Sequence, residues 1–166
     1  MVCCYQWMKS PVGKLLLAAD ESGLRFLLFA EGRTPPHIEA DWKHDGGLLQ
    51  EPMRQLRAFF AGELHRFDLP LAPQGTEFQK RVWDALLEIP FGETTSYGEL
   101  ARRLGNPTAS RAVGLANGSN PIAIIIPCHR VIGSTGKLTG YGGGLPNKRW
   151  LLDFEHSQLR LAFGNR

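Results

Sequence analysis

The spacing of apolar residues changes along this chain from the two-residue period of strands to the 3.6-residue period of helices, and that change constrains the fold class most. Over the first thirty residues apolar and polar positions alternate between turn signals. Ser10-Pro11-Val12-Gly13 precedes Lys14-Leu15-Leu16-Leu17-Ala18-Ala19, and Asp20-Glu21-Ser22-Gly23 precedes Leu24-Arg25-Phe26-Leu27-Leu28-Phe29. This pattern predicts hairpin-linked strands. Residues 31–47, rich in Gly, Pro, Asp and His, read as a surface loop. Leu49, Met53, Leu56 and Phe60 then recur at helical spacing, which predicts a helix over 49–61 covering one face of the sheet.

Ala72-Pro73-Gln74-Gly75 breaks the pattern and marks a boundary between domains of residues 1–75 and 76–166. Beyond it, Thr76-Glu77-Phe78-Gln79 has the form of a capping box. Phe78, Val82, Trp83, Leu86 and Leu87 follow as a helical stripe that ends at Pro90-Phe91-Gly92. A second capping-box pattern, Ser96-Tyr97-Gly98-Glu99, opens a short helix that Gly105-Asn106-Pro107 stops, and a further helix restarts over 108–117. Two short helices around a tight Gly-containing turn read as a helix-turn-helix. The second of them is mostly Ala, Gly, Ser and Thr around a single Arg111, a surface suited to close approach to a groove but poor at reading base edges. The small residues serve tight helix packing equally well; Arg111 favours DNA.

The 166 residues are 43% hydrophobic, in the range of ordinary globular chains. No apolar run approaches the ~18 residues of a membrane span, and the first residues lack the pattern of a signal peptide. No membrane partner and a cytoplasmic, nucleoid-associated protein are expected. Three cysteines, two of them adjacent at Cys3 and Cys4, make no disulfide framework. Residues 1–76 carry eight basic and nine acidic side chains, residues 77–166 eleven against seven, so the excess of positive charge lies in the helical half. That is weak but consistent support for a polyanionic partner.

The chemistry-bearing stretch is Ile126-Pro127-Cys128-His129-Arg130-Val131-Ile132-Gly133. The run Ile122–Ile126 reads as a buried strand that carries a thiol at its end. A free thiol with a pKa of about 8.5 is only slightly ionised at neutral pH and needs a base or a positive field to act as a nucleophile. Neighbours on a strand face opposite ways, so His129 assists Cys128 only if the chain bends at Pro127 or a water bridges the two. By itself the pattern also fits an inert, buried cysteine.

Taken together, Pro127-Cys128-His129-Arg130-Val131, Arg111-Ala112-Val113-Gly114, Asn120-Pro121, Gly140-Tyr141-Gly142-Gly143 and Trp150-Leu151-Leu152 resemble, in order and in spacing, the O6-alkylguanine-DNA alkyltransferases. The likeness covers nearly the whole chain. It implies an α+β fold: an N-terminal ribonuclease-H-like antiparallel-sheet domain and a C-terminal, mostly helical domain with a helix-turn-helix. It also implies direct-reversal repair of alkylated DNA, in which the alkyl group of O6-alkylguanine moves once, irreversibly, to Cys128. O4-alkylthymine is a second candidate substrate.

Position by position, Cys128 matches the acceptor thiol, with His129 and Glu155 the pair that activates it and Asn120 the residue that orders the region. Tyr97 matches the tyrosine that assists nucleotide flipping and donates a proton to the leaving base, and Arg111 the finger that fills the gap in the stack. Tyr141 and Gly142 belong to a loop over the base, and the backbone around Cys128 and Val131 would accept from its exocyclic amine. Ala123, where some relatives have proline, implies a roomier pocket. Some relatives bind zinc in the N-terminal domain. Cys3, Cys4, His37, His44 and His65 are the available donors, but adjacent cysteines do not fit the usual spacing, so no metal and no cofactor are expected. The expected partner is double-stranded DNA carrying O6-alkylguanine, met by a monomer. The competing readings are a non-catalytic sensor of alkylated bases, a helix-turn-helix transcription factor and a cysteine hydrolase.

Overall fold

The alternating first half forms a four-stranded sheet because its turns close where the sequence signals them. The computed structural model describes residues 2–33 and 35–163. β1 (Cys4–Met8), β2 (Leu15–Asp20) and β3 (Gly23–Phe29) run antiparallel, with Trp7 opposite Leu16 and Leu17 opposite Leu27. β2 is the central strand, and its residues from Leu15 to Ala19 are buried, which explains why its apolar run is nearly continuous. The expected loop at 31–47 contains a two-residue strand, β4 (Lys43–His44), which adds to β1 in parallel and gives the order β3-β2-β1-β4. A 3-10 turn at Gly47–Leu49 leads into α1 (Gln50–Phe60), whose Leu56 and Phe59 are fully buried.

In the second half, α2 (Glu77–Leu87) begins at the expected capping box. Gln79 N–H donates to Thr76 Oγ1 (3.1 Å) and Thr76 N–H to Gln79 Oε1 (2.9 Å). A short strand, β5 (Thr95–Ser96), precedes α3 (Tyr97–Arg103), where Ser96 caps Glu99 N–H (3.1 Å) while the Glu99 carboxylate turns to Arg102. α3 ends in a Schellman arrangement: Asn106 N–H reaches Ala101 O (3.0 Å), Gly105 N–H reaches Arg102 O (2.9 Å), and Gly105 takes φ +79°, a value glycine tolerates at no steric cost. α4 (Ser110–Gly118) completes the helix-turn-helix, packs Val113, Ala116 and Asn117 inward, and is tied to α2 by Trp83 Nε1–H to Ala116 O (2.9 Å). β6 (Val131–Ile132) pairs in parallel with β5, and α5 (Leu145–Phe163) closes the chain. Among the described residues no helix is long and apolar enough to cross a membrane.

The two halves share one apolar core, in which Leu24 and Leu27 of β3 join Val82, Ile122 and Leu151. The outer edge of β3 also receives the chain that leads to the thiol: Leu27 N–H donates to Pro121 O (2.9 Å) and Ala123 N–H to Leu27 O (3.0 Å). Here the expectation of a strand over Ile122–Ile126 is corrected. Only Ile122 bridges to Leu27, and the run then folds into two consecutive γ-turns. The first closes from Ile125 N–H to Ala123 O (2.7 Å) around Ile124, which sits at φ +70°. The second closes from Cys128 N–H to Ile126 O (2.8 Å) around Pro127, at φ −81° and ψ 63°. A β-branched residue at positive φ costs about 1–3 kcal/mol, which the complete burial of Ile124 offsets.

Candidate active site

The double turn delivers Cys128 to the start of a 3-10 turn, Cys128–Arg130, beneath α4. The chain therefore bends at Pro127, one of the two ways in which His129 could assist the thiol. In a 3-10 turn successive side chains stand about 120° apart, so Cys128 and His129 still point different ways. Cys128 is 6% exposed and borders a cavity of about 960 Å³ between α4, α3 and the 139–143 loop. Tyr97, Arg111, Asn120, Ala123, Tyr141 and Gly142 line the same cavity, so the structure brings six of the expected positions to the thiol. His129 and Glu155 lie behind it, fully buried, and Val131 begins β6 with its carbonyl accepting from Lys148 Nζ (2.7 Å).

The buried network fixes the protonation of His129. Glu155 accepts from His129 Nε2 (2.7 Å), Arg130 Nε (2.9 Å), Arg130 Nη2 (2.9 Å) and Gly92 N–H (3.0 Å). Burial alone would raise its pKa, but the hydrogen bond from His129 and the bonds and charge of Arg130 outweigh burial and hold it at about 2. Burial pushes the pKa of His129 down, with Glu155 acting against it. The imidazole is therefore neutral at neutral pH, and an ionised Glu155 that only accepts requires the proton on Nε2. Nδ1 is left as a bare acceptor.

Burial also pushes the Cys128 thiol up, opposed by a hydrogen bond from the Asn120 side chain and by the charge of Lys148. Asn120 spans the double turn as well: its Nδ2 donates to Ile126 O (2.8 Å) and its Oδ1 accepts from Ile122 N–H (3.0 Å). Tyr97 Oη and Thr139 Oγ1 are hydrogen-bonded (2.9 Å), which links α3 to the 139–143 loop. Tyr141 is buried and meets Phe29 edge-on, with ring centroids 5.6 Å apart. Gly142 is exposed, and a Cβ there would meet nothing within 4 Å, so a small side chain at this position would not disturb its backbone.

Lys148, Arg130, Asn117 and Arg33 also belong to the site, and sequence reasoning missed them. Lys148 is wholly buried, donates to Val131 O and to Thr139 O (3.1 Å), and brings a positive charge near the thiol. The signal for it was present: Lys148, Leu151, Leu152 and Glu155 occupy one stripe of a helix, and a charge within a buried stripe implies a partner. Arg130 anchors Glu155 and donates to Ile89 O (2.7 Å). Asn117 lines the cavity, its Nδ2 3.4 Å from Cys128 O. Arg33 reaches the cavity from the N-terminal half. Among the described residues three buried side-chain polar atoms lack a partner, namely Asn117 Oδ1, His129 Nδ1 and Tyr141 Oη, and all three belong to residues around Cys128.

Among the described residues no three His, Cys, Asp or Glu side chains are placed to share a metal ion. His44 stacks on Tyr5 and bonds Gln6 Oε1 (2.8 Å), His65 stacks on Phe91, and Cys3 is buried.

Residues 77–157 match the DNA-binding domain of the 6-O-methylguanine DNA methyltransferases, and residues 3–73 match the ribonuclease-like domain of the same family. A methylated-DNA–protein-cysteine methyltransferase of Methanosarcina acetivorans is 57% identical over 153 residues, covering 92% of this chain and 98% of its own. The protein of that name from Mycobacterium tuberculosis is 55% identical over 154 residues, covering 93% of each chain. The crystal structure of the M. tuberculosis O6-methylguanine methyltransferase superposes with a TM-score of 0.87 at 54% identity over 94% of both chains. The structure of M. tuberculosis OGT in complex with DNA gives the same TM-score at 53% identity, covering 95% of this chain and 94% of that one.

Proposed function

The chain belongs to the 6-O-methylguanine DNA methyltransferase family, a repair enzyme that moves alkyl groups from DNA to a protein cysteine, and from that premise we propose that Cys128 is the acceptor and O6-alkylguanine in duplex DNA the substrate. One observation carries the assignment: the buried side-chain atoms left without a partner among the described residues belong to Asn117 and Tyr141, which line the cavity with this thiol, and to His129 beside it in the chain. Buried polar groups are normally paired, and those that are not mark a site completed by a ligand.

The lesion lies inside the duplex, so the nucleotide rotates out at a cost of a few kcal/mol, less for a poorly paired base. Arg111, at the first turn of the small-residue helix α4, enters the gap left behind. The cavity then holds the base against Cys128, with Tyr141 Oη and Asn117 Oδ1 free to bond its edges. His129 Nδ1 takes the thiol proton through a water, and Glu155 stabilises the imidazolium that forms. The thiolate attacks the alkyl carbon; the S–C bond forms as the C–O6 bond breaks, and the electron pair stays on guanine O6. Tyr97 Oη supplies a proton to the leaving base, so guanine departs neutral and S-alkylcysteine remains. A thioether offers no carbonyl for water to attack, and each monomer acts once. The sheet of residues 1–75 buttresses the 121–123 segment, and residues 76–166 carry DNA contact and chemistry. A cytoplasmic, nucleoid-associated location follows from that substrate.

Intact-mass spectrometry after incubation with a duplex carrying one O6-methylguanine tests the assignment. A gain of about 14 Da mapped to Cys128, with no second turnover, is expected. Tight binding without a change in mass would make the protein a sensor of damage.

A further inference from the structure

We propose that Arg33, from the N-terminal half, binds the phosphate that flanks the extruded nucleotide. The proposal rests on the reading of the cavity as the nucleotide pocket. The segment 29–33 and the 140–143 loop meet through bare backbone. Arg33 N–H donates to Gly142 O (2.8 Å), and a Cβ on Gly32 would stand only 2.7 Å from the same carbonyl. A Cβ on Gly143 would stand 2.6 Å from the Phe29 ring. Glycines at both places let the two segments close on each other, which fixes the backbone that carries Arg33.

The side chain then lies along the loop. Arg33 Nη1 lies 3.1 Å from where a Cβ of Gly140 would stand, and the residue lines the cavity while remaining exposed. Arg25, Arg54, Arg102, Arg103 and Arg130 each pair with a carboxylate. The two arginines that line the cavity, Arg33 and Arg111, pair with none among the described residues. A guanidinium at the mouth of a pocket, on an anchored backbone and without a carboxylate partner among the described residues, is set for an anion. The base that enters is neutral, but its phosphates stay outside, because the strand has to continue into the duplex on both sides. Arg111 is committed to the gap in the stack, which leaves Arg33, on the loop side, for a phosphate whose two oxygens fit the guanidinium fork. Recognition of the flipped state is thereby shared with the N-terminal half.

The test uses the full chain with Cys128→Ser, to stop chemistry, combined with Arg33→Ala or Arg33→Lys. Affinity is measured from low to moderate salt for a duplex with one O6-methylguanine and for the same duplex with guanine. Arg33→Ala is expected to weaken lesion binding about two- to fivefold at physiological salt. It should also lower the slope of log affinity against log salt by about one on the lesion duplex only, and Arg33→Lys should restore that slope. An unchanged slope, whatever the affinity, would reduce Arg33 to a prop for the loop and overturn the proposal. Equal losses on both duplexes would place Arg33 on the general DNA surface and overturn it too. If the Cys128→Ser protein had no preference for the lesion duplex, the pocket reading itself would fall, and the phosphate assignment with it.

Discussion

Replacing Glu155 by Gln should damage stability and chemistry by separable amounts. The carboxylate is fully buried and accepts four hydrogen bonds, two of them from the fork of a buried Arg130. Its acid pKa of about 2, against an ordinary 4.5, corresponds to about 3 kcal/mol of preferential stabilisation of the folded state. Removing one partner of a buried ion pair costs about 3–5 kcal/mol, in agreement. For a chain of this size the melting temperature should fall by roughly 10 °C.

The sign of the pH dependence is fixed by the direction of that shift. Because the folded pKa is depressed, the contribution is complete above the unfolded value of 4.5 and is lost as pH falls towards 2. The difference between wild type and Glu155→Gln, followed by urea denaturation, should therefore shrink across that window. The amide would also donate to His129 Nε2, moving the imidazole proton to Nδ1 and abolishing the base. Methyl transfer should slow by about 10²–10⁴. Transfer within about threefold of wild type, or a stability difference that persists undiminished at pH 2.5, would refute the reasoning.

Lys148→Met keeps much of the volume but removes the charge near the thiol; the iodoacetamide reactivity of Cys128 should move to higher pH, and methyl transfer should slow on the order of tenfold, the effect of about 1–2 kcal/mol. Asn117→Leu removes a buried acceptor that has no partner together with a long donor bond to Cys128 O, a carbonyl that keeps the Val131 N–H, so the urea midpoint should hold while transfer falls by about tenfold. Thr76→Ala, remote from the cavity, removes the α2 capping box and should cost about 1 kcal/mol, read as a melting temperature lower by about 2–4 °C with transfer unchanged.

What could be read from the sequence was local. The strands of the first half, the Thr76 capping box and the Gly105 stop each depend on residues within a few positions of one another, and each formed where the pattern placed it. Two features depended on distant partners. β4 is a pair of residues with no periodicity of its own, which pairs because β1 offers an edge. The Ile122–Ile126 run could not be told from a strand by its apolar character; the edge of β3 takes Pro121 to Ala123, and the need to bring Cys128 under α4 then bends the chain. Asn120, whose amide bonds both ends of the bend, is the local residue that makes this conformation cheaper than continued pairing.

The thiol and the cavity residues were legible through resemblance, but the electrostatics were not, because α5 supplies it from far along the chain. Lys148 and Glu155 lie seven residues apart on one helix face, roughly 10 Å along the axis. One end of that stripe brings a cation to the loop carbonyls and the thiol, and the other brings an anion to His129 and Arg130. Glu155 is neutralised by Arg130, whereas Lys148 bonds only carbonyls and keeps its charge uncompensated among the described residues. The net field on Cys128 is therefore positive. That is what a buried thiol requires, since burial opposes ionisation and a neutral imidazole can accept the proton but cannot by itself hold the thiolate. The field and the carboxylate that holds the proposed base, His129, come from opposite ends of the same helix face, so on the proposed mechanism the position of α5 against the Cys128 turn sets the reactivity of the thiol.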